Sequence, residues 1–333
     1  MQYKIVNSYI SKLSLLETLS AKEEIRTSFK NSLTSLLKLT EIEPAIVTDN
    51  AEWLNDDYNA SERPIDFDTR INVFGQLIQS NTKFRRKMLT DIDFKKTNMG
   101  ILTDGLYIRR DRDISNISAV AFNEIGFDLL KEVRDVEEVK KILTLCYAEL
   151  IKIDVEIGKK YKEIKRQHLE SNLTYVTSAQ LKIMYPLLSY PERINTFGRD
   201  NGSFIIYDFV HSLLDTKNDA KYSQDVYDFD NFCELYIYNK SIQQAICIGW
   251  GAFHVNRDEL KIQSKILRDD KKDKTNYNNQ IKSDDFAVAM SISFDFARIT
   301  MTLLEKQHIG EVISSVWEND FLEYAKKNEI IIL

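Results

Sequence analysis

The stretch Ser291-Ile-Ser-Phe-Asp-Phe-Ala-Arg-Ile-Thr-Met-Thr-Leu-Leu-Glu-Lys-Gln-His-Ile-Gly-Glu-Val-Ile-Ser-Ser-Val-Trp317 decides the fold of this chain. Apolar residues recur at three- to five-residue spacing from Phe294 to Leu304, which predicts a helix beginning near Phe296 with one apolar face in the core. Arg298 falls in its first turn. A buried arginine needs an anion, and helix starts favour anions, so Arg298 is a candidate phosphate ligand. A surface ion pair with a carboxylate is the alternative.

Length and composition indicate one soluble globular domain. The chain has 333 residues, of which 43% are hydrophobic, so it can bury a full core and we expect a single domain over 1–333. A net charge of -6 without a basic block argues against nucleic-acid binding. No apolar run approaches the roughly 20 residues of a membrane span, and the N-terminus lacks a signal-peptide core. We therefore expect a cytoplasmic protein.

Periodicity outlines the remaining elements. Ser20 and Glu23 have capping-box spacing ahead of an amphipathic helix that runs to about Leu39. A second long helical pattern covers residues 133–166, and β-prone runs follow it. Residues 268–285 are poor in apolar side chains, which predicts a flexible insertion. Three cysteines without CxxC spacing argue against a disulfide framework or a zinc site.

A family resemblance extends from the opening stretch to nearly the whole chain. Arg298-Ile-Thr-Met-Thr-Leu-Leu, followed by His308-Ile-Gly-Glu-Val and Trp317, resembles the C-terminal segment of aspartate-ammonia ligases, the ammonia-dependent asparagine synthetases with a class II aminoacyl-tRNA synthetase fold. The resemblance is also specific at residues 54–64. It implies an α+β domain with a mostly antiparallel sheet flanked by helices, and a homodimer formed through the N-terminal half. The family has a glycine-rich run before its arginine, whereas residues 291–297 contain no glycine.

The resemblance implies that ATP and Mg²⁺ bind here. Arg298, together with Arg109 in the strand-and-turn segment 106–113, would hold the ATP phosphates. A charged surface turn is the alternative for Arg109. Glu234 matches one of the two family acids that hold Mg²⁺, and the second position is Cys247. A thiol is a poor ligand for a hard cation, so the expected metal site is weakened.

Positions that match the substrate contacts of the family depart from its pattern. Asp56 would accept an amine or ammonium group, although an Asn/Asp-rich turn is the alternative. Arg85 stands where the family has a lysine that binds the substrate carboxylate, and a solvated basic helix face is the alternative. Glu124 and Gly126 match an amide and a carboxylate of the family. Tyr222 matches an arginine that binds the substrate carboxylate.

Two functions are consistent with these residues. In the first, the protein is an ATP-dependent, adenylate-forming amide ligase that joins a carboxylate or amino acid to ammonia or an amine, with Arg109, Arg298 and Asp56 as catalytic residues. Aspartate is disfavoured as its substrate, because Arg85, Gly126 and Tyr222 alter three contacts. In the second, the protein is a catalytically degenerate paralogue that acts as a binding, regulatory or scaffold homodimer.

Overall fold

A large sheet organises the structure, a computed structural model that describes residues 5, 9–56, 58, 62–92, 96–164, 168–209, 223–267 and 275–333. Short 3-10 helices cover Phe229–Asn231 and Ile309–Glu311. In chain order the elements are α1 (Leu15–Leu37), β1 (Leu39–Glu41), β2 (Val47–Asp49), β3 (Ile65–Asp68), β4 (Phe74–Leu77), α2 (Thr82–Ile92), β5 (Gly100–Ile108), β6 (Ala121–Leu130), α3 (Val136–Lys160), β7 (Leu173–Thr177), α4 (Ser178–Met184), α5 (Tyr190–Asn201), β8 (Ser203–Tyr207), β9 (Cys233–Asn239), β10 (Gln244–Phe253), α6 (Arg257–Leu267), α7 (Asn276–Lys282), β11 (Ala289–Asp295), α8 (Phe296–Leu303) and α9 (Asn319–Lys327).

The sheet is mostly antiparallel, as the sequence predicted. Over the described residues it has eight strands in the order β1-β5-β6-β11-β10-β9-β8-β7. The interior pairs are antiparallel, and only the edge pairs β1–β5 and β7–β8 are parallel. A separate antiparallel sheet has the order β2-β4-β3. The predicted α+β fold with a mostly antiparallel sheet is therefore confirmed. No helix in the described ranges is long and apolar enough to cross a membrane.

Alternation along β11 separates the two faces of the sheet. Ile292 and Phe294 belong to the large core between the sheet and helices α1 and α3. The Phe294 ring packs edge-on against Phe29 of α1, with ring centroids 5.1 Å apart. Since successive strand residues point to opposite faces, Ser293 and Asp295 face the other side. That second face carries the candidate functional residues.

Helix starts follow the predicted pattern in one case and not in another. Helix α8 begins at Phe296 as predicted, and the Asp295 side chain caps it by accepting a 3.1 Å hydrogen bond from the backbone N–H of Arg298. The prediction of a capping box at Ser20 is wrong. Helix α1 begins earlier, at Leu15, where Ser14 and Glu17 have the same spacing and form the capping box. Local spacing alone does not distinguish the two sites.

The predicted flexible insertion at 268–285 contains a packed helix. Residues 268–274 lie outside the described part of the chain, but α7 occupies Asn276–Lys282. Its Tyr277 and Ile281, one turn apart, are buried against Val255 and Leu260. Two apolar residues at helical spacing therefore hold a segment whose composition is otherwise polar.

Candidate functional site

Three arginines gather where the β5–β6 hairpin meets the start of α8, and we call them the arginine cluster: Arg109, Arg112 and Arg298. The guanidinium carbons of Arg109 and Arg112 both lie over the Phe122 ring, 5.4 Å and 5.0 Å from its centre. An Asp295 carboxylate oxygen lies 3.5 Å from Arg112 and 3.1 Å from Arg298. The structure thus brings together the two arginines that the sequence singled out and adds Arg112 to them.

The arginine cluster carries more positive than negative charge. Among the described residues, its three guanidinium groups form ion pairs with two carboxylates, Glu62, which pairs with Arg109, and Asp295. Burial and the neighbouring charges of Arg109 and Arg298 lower the pKa of Arg112 to about 9. A cation that its surroundings disfavour to this degree gains when an anion approaches it. The cluster is therefore suited to bind an anionic group.

Arg298 is fixed by backbone contacts and not by a surface ion pair. Its Nε donates a 2.9 Å hydrogen bond to the Ile117 carbonyl oxygen in the hairpin. Its Nη1 donates a 2.8 Å hydrogen bond to the carbonyl oxygen of Cys247 on β10. Its carboxylate partner, Asp295, is buried. The alternative of a surface pair is therefore wrong, since Arg298 links the hairpin, β10 and its own helix start.

Arg109 is held by Glu62 and Tyr58 of the N-terminal half. Its Nε donates a 2.7 Å hydrogen bond to Glu62, and its guanidinium stacks 3.6 Å from the centre of the Tyr58 ring. The exposed Arg63, next to Glu62, pairs with Asp111 and makes a second contact with the hairpin. The charged turn that was the alternative for residues 109–113 is present, but Arg109 itself is half-buried under its partners.

Glu234 and Cys247 lie on the same face of the sheet as the arginine cluster. Glu234 is opposite Trp250 across β9 and β10, and the Trp250 ring stacks on Phe122 at 6.1 Å. The Tyr236 hydroxyl donates a 2.8 Å hydrogen bond to Glu234. No group of three or more acidic, histidine or cysteine ligands occurs among the described residues. One carboxylate therefore fits Mg²⁺ only if phosphate and water oxygens supply the other ligands.

Arg85 is the centre of a buried ion network. Its Nε donates a 2.8 Å hydrogen bond to Asp128, and its Nη1 donates a 2.7 Å hydrogen bond to Glu124. Further hydrogen bonds go to the hydroxyls of Thr82, Thr103, Ser291 and Ser293. The alternative of a solvated basic face is wrong, because Arg85 is fully buried. Its predicted contact with a substrate carboxylate is also unsupported, since protein groups already occupy its donors.

Gly126 makes room for this network. A Cβ atom at Gly126 would lie 2.3 Å from Nη1 of Arg85 and 2.7 Å from Oε1 of Glu124. No side chain can occupy that space while Arg85 holds its present position. Arg85 and Gly126 are therefore sterically coupled, because Arg85 occupies the space that a side chain at residue 126 would need.

A second buried ion pair was missed from the sequence. Lys83 Nζ lies 2.7 Å from Asp225, and both side chains are at most 1% exposed. The ammonium also lies 4.9 Å from the centre of the Tyr277 ring. The sequence offered one signal: Thr82, Arg85, Arg86 and Leu89 share a helical face that ends in an apolar residue, which is typical of an inward face. The charge on this helix is the reason that a solvated basic face stands as the alternative in the sequence analysis.

Together these groups form what we call the inner polar layer, which adjoins the arginine cluster. Tyr58 connects the two, because its ring stacks on Arg109 and its hydroxyl donates a 3.4 Å hydrogen bond to the carbonyl oxygen of Gln79, next to Ser80. The layer consists of Ser80, Thr82, Lys83, Arg85, Glu124, Asp128, Asp225, Tyr227 and His254.

Asp56 borders the inner polar layer in an Asx turn. Its Oδ1 accepts a 2.8 Å hydrogen bond from the Tyr58 backbone N–H and a 2.6 Å hydrogen bond from the Ser223 hydroxyl. The turn predicted as the alternative is therefore present, and it is buried beside the other candidates. The predicted substrate contact at Tyr222 lies outside the described residues.

Sequence comparison covers almost the whole chain. The family profile described as aspartate-ammonia ligase matches residues 16–329. An aspartate-ammonia ligase of Clostridium perfringens (strain SM101, type A) is 28% identical over 333 residues, which cover 99% of this chain and 98% of that protein. An aspartate-ammonia ligase of Malacoplasma penetrans (strain HF-2) is 27% identical, with coverage of 96% and 99%.

Structural comparison agrees on the fold. The Entamoeba histolytica asparaginyl-tRNA synthetase in complex with asparaginyl-adenylate has a TM-score of 0.65 and 14% identity, and the match covers 91% of this chain and 68% of that chain. The Pyrococcus horikoshii asparaginyl-tRNA synthetase with asparaginyl-adenylate also has a TM-score of 0.65, with 11% identity and coverage of 89% and 68%. The fold is therefore that of class II synthetases.

Proposed function

Because the chain belongs to the aspartate-ammonia ligase family, we propose that it is an ATP-dependent ligase that activates a carboxylate as an acyl-adenylate for attack by ammonia or an amine. The convergence of Arg109, Arg112 and Arg298 around Phe122 and Asp295 is the observation that carries this proposal. A triphosphate is the anion that suits a cluster with excess positive charge beside an aromatic ring.

In this mechanism the arginines act mainly by position and charge. Arg109 and Arg298 hold the phosphates in line with the attacking carboxylate, and Arg112 adds charge as pyrophosphate leaves. Each of these cations is fixed by protein contacts before ATP arrives, so little reorganisation accompanies the reaction. Phe122 offers a flat apolar surface next to them. The negative charge that develops on the leaving pyrophosphate is thus neutralised by the arginines beside it.

Glu234 is the residue that would hold Mg²⁺ in this arrangement. The ion would offset charge on the phosphates, and Cys247 beside Glu234 would contribute little to binding it. The Tyr236 hydroxyl already donates a hydrogen bond to Glu234 and orients its carboxylate. We propose a site that binds Mg²⁺ weakly on its own and more tightly with ATP.

We also propose a homodimer formed through the N-terminal half. Exposed apolar side chains lie on the outer face of α1 and on the small sheet; examples are Leu16 (74% exposed), Phe74 (68%) and Val47 (52%). Apolar surface in such amounts on neighbouring elements is typical of an interface. Sedimentation equilibrium should give twice the monomer mass of 38.9 kDa.

The ligase proposal can be tested by pyrophosphate exchange and nucleotide binding. We expect Mg-ATP to raise the melting temperature and a carboxylate panel to support ATP–pyrophosphate exchange. Arg298→Ala should lower that exchange about 100- to 1000-fold, because a fixed cation that meets developing charge is lost. Arg199→Ala, at an exposed arginine that pairs with Asp200 on α5, is the matched control and should change it little.

The alternative of a degenerate, non-catalytic homodimer predicts a different result. It would show neither exchange with any carboxylate nor a thermal shift with Mg-ATP, while the dimer mass would persist. That combination would overturn the ligase proposal. Should Arg298→Ala fail to fold, Arg298→Lys keeps the charge without the planar fork, and partial activity in that variant gives the same information.

A further inference from the structure

We propose that the inner polar layer accepts an amino-bearing substrate with a single carboxylate, the one that ATP activates, and excludes dicarboxylates such as aspartate. This inference rests on the proposed ligase function, since it concerns the acyl substrate of the same site. It goes beyond that function by naming the substrate class. The charges and unused hydrogen-bonding atoms of the layer carry the argument.

The first step is that the cations of the layer are already committed to protein groups. Arg85 directs its guanidinium to Asp128 and Glu124. Lys83 directs its ammonium to Asp225. When ATP activates one carboxylate of a dicarboxylate, the second carboxylate stays negative. If that second carboxylate is buried, it needs a cation of its own. Neither Arg85 nor Lys83 can bind this second carboxylate without breaking its present ion pair.

The third cation of this helix, Arg86, lies behind the layer. Its Nη2 donates a 2.7 Å hydrogen bond to the Val255 carbonyl oxygen, and its guanidinium stacks 4.4 Å from the centre of the Phe286 ring. The ring of Tyr277 stands next to it, with the hydroxyl 3.4 Å from Nη1. His254 does not supply a charge either, because burial lowers its pKa.

The second step is that the charges balance. Lys83, Arg85 and Arg86 are matched in number by Glu124, Asp128 and Asp225, so these six side chains have no net charge. A dicarboxylate would add a negative charge that these six side chains do not offset, and the three arginines of the neighbouring cluster are taken up by the triphosphate in the proposed mechanism. A substrate whose remaining groups are an ammonium or a neutral group does not have this cost.

The third step concerns acceptors that the protein does not use. Asp225 is fully buried, yet among the described residues its Oδ1 has no hydrogen-bond partner. Gln79, beside Ser80, is equally buried, and over the same residues neither atom of its amide is paired. Buried polar atoms are nearly always satisfied, so unpaired ones call for an external partner. An amino group suits Asp225, and a neutral polar group suits Gln79.

Two measurements test the inference on the full chain. Isothermal titration calorimetry with alanine, β-alanine and serine, and with aspartate, glutamate and succinate, measures binding without ATP. ATP–pyrophosphate exchange with the same compounds measures activation. We expect amino-bearing monocarboxylates to be preferred over aspartate by at least about 100-fold in both. Equal or tighter binding of aspartate overturns the inference, and so does a failure of every monocarboxylate to bind.

These outcomes separate the inference from the ligase proposal. If aspartate supports exchange as well as the monocarboxylates do, the ligase proposal stands and the inference falls. If no compound supports exchange and Mg-ATP does not bind, the ligase proposal falls. Calorimetry then decides the inference alone: binding of monocarboxylates without aspartate supports it, and any other result overturns it.

A charge-neutralising variant sharpens the test. Glu124→Gln keeps an oxygen acceptor for Arg85 but removes one negative charge, so the preference for monocarboxylates should fall at least about tenfold. Glu137→Gln, at an exposed ion pair with Lys140 on α3, is the matched control and should leave it unchanged. An unchanged preference in a folded Glu124→Gln protein overturns the inference. If that variant does not fold, Asp225→Asn provides the same readout through Lys83.

Discussion

The arginine cluster and the inner polar layer lie side by side on one face of the sheet, but they treat charge in opposite ways. In the cluster, burial and neighbouring cations lower the pKa of Arg112 to about 9. In the layer, burial alone would lower the pKa of Arg85, but Glu124 and Asp128 outweigh it and raise the pKa. The arginine cluster therefore has positive charge left to bind an anion, whereas the ion pairs of the inner polar layer are satisfied without one.

This difference shows how closely the inner polar layer is packed and charge-matched around Arg85. Unpaired buried charges and unfilled cavities are costly. Arg85 fills the space beside Gly126, and its guanidinium is fully paired. On the other face of the sheet, Phe294 fills the space beside Gly249, where a Cβ would lie 2.6 Å from the Phe294 ring. A further anion beside Arg85 would therefore have to displace one of its present partners.

The largest expected effect comes from breaking the layer at its centre. Arg85→Ala leaves Glu124 and Asp128 buried without their cation, and we expect it to lower the free energy of unfolding by about 3–5 kcal/mol. Chemical denaturation with urea measures this. Arg109→Ala, in the partly exposed cluster, should cost less than half as much. Equal losses at the two positions would contradict the distinction between the two regions.

A smaller effect is expected from filling the space beside Arg85. Gly126→Ala places a methyl group within 2.3 Å of Nη1 of Arg85, and we expect it to lower the free energy of unfolding by about 1–3 kcal/mol. A double-mutant cycle with Arg85→Lys is the control, because lysine has no planar fork at that place. The cost of Gly126→Ala should be smaller in the Arg85→Lys background. Additive costs would show that the two positions are not coupled.

Removing Arg112 should affect binding more than folding. Its cation is disfavoured by Arg109 and Arg298, so Arg112→Ala should change the free energy of unfolding by less than about 1 kcal/mol in the absence of nucleotide. The affinity for Mg-ATP should nevertheless fall about tenfold, because one phosphate partner is lost. Calorimetry with a non-hydrolysable ATP analogue measures it. Arg110→Ala, at a more exposed arginine of the same turn, is the control, and an equal loss there would contradict a specific role for Arg112.

Local patterns predicted a large part of this fold. The helix start at Phe296 follows from residues that are neighbours in sequence, and it is present. The convergence of Arg109 and Arg298 came from the family resemblance, because 189 positions separate them and no local rule joins them.

The parts that escaped prediction depend on distant partners. The local pattern of its helix is compatible with a solvated Arg85. Arg85 is buried because it pairs with Glu124 and Asp128 of β6, which lie 39 and 43 positions away in the sequence. Lys83 is buried by Asp225, 142 positions away. A charged side chain is buried only when its counter-charge is near, and spacing within one helix carries no information about another strand.

The smallest expected effect concerns two histidines, and it contrasts the inner polar layer with the helix layer on the opposite face. His254 in the inner layer is held neutral, since burial lowers its pKa. His168 lies between Asp154 and Glu305 beyond α3, 2.7 Å and 2.8 Å from them; burial opposes its charge, but the two carboxylates outweigh burial and raise its pKa. The two side chains should therefore contribute to stability with opposite dependence on pH.

For His168 the folded state binds its proton more tightly than the unfolded state. Its stabilising contribution is complete below the ordinary histidine pKa of about 6.5 and is lost as pH rises through the raised folded value. His168→Gln should therefore lower the free energy of unfolding by on the order of 1 kcal/mol at pH 6, and the deficit should shrink as pH increases. For His254 the sign is reversed, because the unfolded state takes up the proton first, so this contribution weakens as pH falls below about 6.5. Urea unfolding of wild type and His168→Gln at several pH values measures the difference, and a deficit that grows with pH would mean that His168 is neutral in the folded protein, as His254 is.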